Sequence, residues 1–65
     1  MTPETAREWG VSNARVFVDG LGGIWPDTIR LHPRDALLMS DNNPIAAEAY
    51  RRAFLAECDR LRPLD

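Results

Sequence analysis

The residues with chemistry to offer are few. A single histidine, His32, stands immediately before Pro33, and a single cysteine, Cys58, lies among apolar neighbours on a predicted helix. A general base needs a partner that orients it and a proton within reach, and no residue at a recognisable spacing supplies the first. Ser12 and Ser40 fall in a connector and a loop, with no nucleophile signature around them. His32, Cys58 and the scattered carboxylates lack the spacing of a zinc site, so no metal and no cofactor are predicted. The run Asp19-Gly20-Leu21-Gly22-Gly23 is rich in glycine, but it lacks the lysine and the following helix start of a phosphate-binding loop, and it reads as a turn. Asp41-Asn42-Asn43 is too short for a calcium loop and suits a helix-capping linker. The chain is therefore expected to be non-catalytic.

Recognition chemistry is better supplied. Leu21 and Trp25 are large apolar groups next to turn residues, and Arg15, Phe17 and Arg30 share one face if the middle of the chain is a hairpin. Aromatic and arginine side chains together are the usual material of interface hot spots. Asp19 and Asp27 add acidic groups able to occupy a basic groove. Arg15, Phe17, Asp19, Leu21, Trp25, Asp27 and Arg30 form the expected partner-binding set.

The elements that must position these residues follow from local signals. Thr2 suits an N-cap, Pro3 the first helical position and Glu4 the positive end of the dipole, and Gly10 is placed to end a short helix near Trp9. Trp9 is expected to fasten that helix to the core. From Arg15 to Asp19 the residues alternate, with Val16 and Val18 on one face. Gly20, Gly22 and Gly23 supply a reversal. A returning strand is expected from Ile24, interrupted by Pro26 and resuming over Thr28–His32, with Ile29 and Leu31 on the core face. Pro33 opens a short helix carrying Ala36, Leu37, Leu38 and Met39. Asn43 caps the longest element, in which Ala46, Ala49, Tyr50, Ala53, Phe54, Cys58 and Leu61 recur at three- and four-residue spacing until Pro63 stops it. The resulting expectation is an α+β fold: a single compact domain over 1–65 in the order α-β-β-α-α, with a two-stranded antiparallel hairpin packed on a long C-terminal helix.

Size and composition set the remaining bounds. Sixty-five residues make one small domain that buries about 60% of its unfolded surface. One cysteine permits no internal disulfide, so a homodimer or a bound partner is a reasonable source of extra stability. Net charge is −2, and all eight basic residues are arginine. No signal-peptide pattern opens the chain and no apolar run approaches the roughly 20 residues of a membrane span, which points to a reducing cytoplasm and no membrane partner.

One stretch resembles a known motif. Over Thr5–Val16, the spacing of Ala6, Gly10-Val11-Ser12 and Val16 is similar to the first helix, turn and recognition helix of a helix-turn-helix. The resemblance implies DNA binding in the manner of a small excisionase or MerR-type reader, with Ser12, Asn13 and Arg15 facing bases. The chain departs from that pattern at Asp19, where an apolar residue belongs, and at Gly20, and it carries no basic stripe to neutralise phosphates.

The leading expectation is a non-catalytic module that binds a larger protein or protein–nucleic acid complex through the hairpin and regulates or blocks it. Size and composition also suit an inhibitor of the kind phages and mobile elements direct at host nucleic-acid machinery, anti-CRISPR-type proteins among them, although no motif carries that placement. A DNA-binding regulator and a small structural subunit or homodimer are the alternatives.

Overall fold

A computed structural model describes residues 1–64. The chain folds as three helices: α1 (Pro3–Gly20), α2 (Pro33–Met39) and α3 (Pro44–Leu61). No strand occurs among the described residues. The expected α+β class and its two-stranded hairpin are therefore corrected to an all-helical fold.

The correction lies mainly in α1. Its start is as expected: Thr2 Oγ1 accepts from the Thr5 amide at 3.2 Å and Pro3 takes the first helical position. The helix does not stop at Gly10. It runs through the connector and through the alternating Arg15–Asp19 segment, and it closes at Gly20 with Leu21 as C-cap. The reversal after it uses Gly22 and Gly23, both at positive φ, which residues with a side chain rarely adopt.

Gly10 continues the helix because of what it touches. On α1, Ala6, Gly10 and Ala14 recur at four-residue spacing and are all buried. An added Cβ at Gly10 would lie 2.6 Å from the Tyr50 carbonyl oxygen and 3.0 Å from the Ala53 Cβ. The stripe is thus a seam of small side chains that lets α3 approach to backbone contact. Ala6 packs with Ala46, Ala47 and Tyr50, whereas Ala14 packs with Phe54 and Cys58. Contacts that advance together along both helices mean that α1 and α3 run parallel.

Parallel neighbours need a long return connection. An 18-residue helix spans about 27 Å, and extended chain at about 3.3 Å per residue recovers that distance in roughly eight residues. Residues 24–32 do this work as a single strap without a ladder partner. Ile29 and Leu31 point in and pack on the two core clusters, while Thr28, Arg30 and His32 stay exposed. The in–out alternation expected for Thr28–His32 is present, but the returning strand expected from Ile24 is not formed.

The strap delivers the chain to α2, where His32 caps the helix through Nδ1, which accepts from the Arg34 amide at 3.1 Å. Asp41 and Asn42 then take left-handed backbone angles, and Asn43 Oδ1 accepts from the amides of Ile45 and Ala46 to start α3. The start, span and stop of α3 match the sequence expectation. No helix of the described residues is long and apolar enough to cross a membrane.

Candidate functional site

With the hairpin gone, the seven expected partner-binding residues separate into different surroundings. Arg15 projects from α1 and its Nε donates to Glu57 Oε2 at 2.8 Å, while Arg60 Nε donates to the other oxygen of the same carboxylate at 2.6 Å. Glu57 is only 7% exposed, and its two arginines are largely in solvent. The hydrogen bonds from Arg60 and then Arg15 hold the Glu57 carboxyl down at about 2, far below its ordinary value of 4.5. Arg15 is thus a clamp between α1 and α3.

Trp25 and Asp27 belong to a second tether. The Arg62 guanidinium carbon sits 5.3 Å from the centroid of the Trp25 ring, and Nη2 donates to the Pro26 carbonyl at 2.8 Å. This cation–π contact and hydrogen bond tie the end of α3 to the start of the strap. Leu21 is half-buried at the C-cap of α1, Arg30 is exposed on the strap, and Asp19 is exposed one turn beyond Arg15 on α1. The shared hairpin face expected for Arg15, Phe17 and Arg30 does not exist, because residues 15–19 are helical and residues 28–32 lie in the strap.

Phe17 remains a surface candidate and gains new neighbours. Its ring packs against Phe54 at 5.6 Å between centroids, yet 39% of the residue is exposed. Two residues read from the sequence as core also reach the surface of the same helix: Trp9, two turns before Phe17 and 49% exposed, and Val16, 71% exposed. At 100° per residue, Trp9, Asn13 and Val16 fall within one arc of α1 to one side of the Ala6–Gly10–Ala14 seam, whereas Phe17 lies in line with the seam, where it meets Phe54. Asn13 is fixed in that arc, its Nδ2 donating to Tyr50 Oη at 2.8 Å. Once Ala6, Gly10 and Ala14 form the buried seam, Trp9 and Val16 lie a quarter turn or more from its centre and face out.

The groups considered for catalysis stay apart. His32 is a helix cap, and Ser40 lies fully buried with its hydroxyl unpaired. Cys58 is buried, and that burial, followed by the adjacent Asp59 and Glu57 carboxylates, pushes its thiol up, which suppresses the reactive thiolate. No cluster of three or more metal-ligating residues occurs among the described residues. A groove of about 680 Å³ forms an open trough between the N-terminal parts of α1 and α3, lined by Pro3, Arg7, Ile45, Glu48, Ala49, Arg52 and others.

The Thr5–Val16 stretch that resembles a helix-turn-helix lies on one uninterrupted helix, so the turn that would set a recognition helix at an angle is not formed there. No family model, no curated protein and no solved structure matches this chain.

Proposed function

We infer that this chain is a non-catalytic helical module that binds a larger protein through the exposed stripe of α1 and so regulates or blocks it. The observation that carries this reading is the display of Trp9 and Val16 beside the seam by which α3 holds the helix in place, with the partly exposed Phe17 at the seam's C-terminal end. A rigid helix presenting an aromatic and aliphatic stripe gives up little conformational entropy on docking, so more of the contact energy becomes affinity. Neighbouring large apolar groups left in water are the usual mark of an interaction surface. The chemistry that fits is a hydrophobic groove able to take Trp9 and Phe17 as anchors spaced two helical turns apart. Asp19 and Arg15 edge the stripe and supply orientation more than affinity.

The test compares the wild-type chain with a Trp9→Ala/Val16→Ser variant, both immobilised and exposed to lysate with and without nuclease. Neither substitution touches the α1–α3 seam, so circular dichroism should show the same helical fold for both. Nuclease-resistant capture of one protein by the wild type, lost by the variant, is the expected result. Equal capture by the two forms, or recovery of nucleic acid alone, refutes the reading.

A further inference from the structure

On the opposite side of α1 from Trp9, the groove beside α3 has features that suit one kind of occupant. Its floor is Ala49 and Ala53, and its rim carries Glu48, Arg52 and Arg7. At one end Ile45 stands 73% exposed on the first turn of α3. On α3, Ile45, Ala49, Arg52 and Ala56 recur at spacings of four, three and four and so share one face, with Arg52 as its charged member.

We propose that this face is the contact surface for a second copy of the same chain, with the two α3 helices packed antiparallel across a two-fold axis. An isologous interface requires one patch to hold both halves of every contact. This patch does so twice. It has a knob, Ile45, and a small exposed side chain able to receive it, Ala56, and it has Glu48 beside Arg52. An antiparallel pairing centred between Tyr50 and Arg51 sets Ile45 against Ala56 of the other copy and brings Glu48 close to the other copy's Arg52, in both directions at once. A partner bearing one sign of charge would match half of this rim and oppose the rest. Within one chain, Glu48 Oε1 already accepts from Arg51 Nη2 at 2.9 Å and from Arg52 Nε at 2.8 Å, and Arg7 makes no ion pair among the described residues. The exchange across the axis therefore needs only side-chain rotation.

Area sets the expected strength. A standard interface takes about 800 Å² from each partner, a large share of the 4736 Å² this chain exposes. A contact built mainly on one helix face is smaller than that standard, so association should be weak and concentration-dependent.

The experiment is sedimentation velocity on the wild-type chain, on Glu48→Arg, on Arg52→Glu and on an equimolar mixture of the two variants, from about 10 μM to about 1 mM, the range suited to a small interface. Glu48 and Arg52 lie on the surface, and circular dichroism checks that each variant keeps its helices. The wild type should rise with concentration from its 7.3 kDa monomer towards twice that mass. Each single reversal sets two like-charged pairs across the axis and should weaken association on the order of tenfold. The mixture restores opposite charges in both pairs, one with its signs exchanged and one as in the wild type, and should regain the dimer. A wild type that stays monomeric throughout overturns the proposal. So do single variants that associate as well as the wild type, or a mixture that does not recover.

Discussion

Gly10→Ala tests the central packing claim because two effects of opposite sign meet at one atom. In an exposed helix interior the change stabilises by about 0.5–1 kcal/mol, since alanine loses less backbone entropy on folding. At Gly10 the new Cβ lies 2.6 Å from the Tyr50 carbonyl oxygen, with the Ala53 Cβ and the Phe54 amide nitrogen at 3.0 and 3.1 Å. Two of these neighbours are backbone of α3 and cannot rotate away, so the helices must part by several tenths of an ångström or more. Overpacking a tight interior costs typically about 1–3 kcal/mol, and contact with rigid backbone argues for the upper part of that range. The net expectation is a loss of about 1–2 kcal/mol. A domain of this size shifts its Tm by about 4–8 °C per kcal/mol, so thermal unfolding followed by circular dichroism should fall by about 10 °C. Gly20→Ala is the control, because its Cβ meets nothing within 4 Å at the last turn of the same helix. It should raise Tm by a few degrees. If Gly10→Ala is as stabilising as Gly20→Ala, α1 and α3 are not in backbone contact and the parallel small-residue seam is wrong.

Two further outcomes follow from buried polar groups. Glu57 has its folded value depressed to about 2 from 4.5 by Arg60 and Arg15, so its contribution to stability is fully present above 4.5 and is lost as pH falls towards 2. Urea unfolding across that window should show a falling acid limb, shallower in Glu57→Gln; an unchanged slope in the variant would remove Glu57 as the clamp. Ser40 is buried with its hydroxyl unpaired, so Ser40→Ala should be neutral or stabilising by up to about 1 kcal/mol. A clear loss of stability in chemical denaturation would mean that the hydroxyl has a partner.

The local punctuation of this chain is legible in its sequence. Thr2-Pro3, His32-Pro33 and Asn43-Pro44 each pair a capping side chain with a proline that fits the first helical turn, and all three start helices. These choices depend on atoms within a few residues of one another. The inward set of Ile29 and Leu31 was also readable, because any extended chain alternates its side chains whether or not it has a ladder partner.

Tertiary packing decided the rest. Nothing local says whether Gly10 ends a helix or lets another helix in close; the answer depends on Tyr50, forty residues away. That same contact fixes which arc of α1 is buried, and so turns Trp9 and Val16 outward and makes Arg15 a clamp on Glu57. The Val16-Phe17-Val18 run carries β-branched residues in alternation, a weak preference of a few tenths of a kcal/mol each, which a continuous buried seam on a neighbouring helix outweighs. The sequence determined where the helices begin, and the approach of two backbones determined which of their faces remain available for a partner.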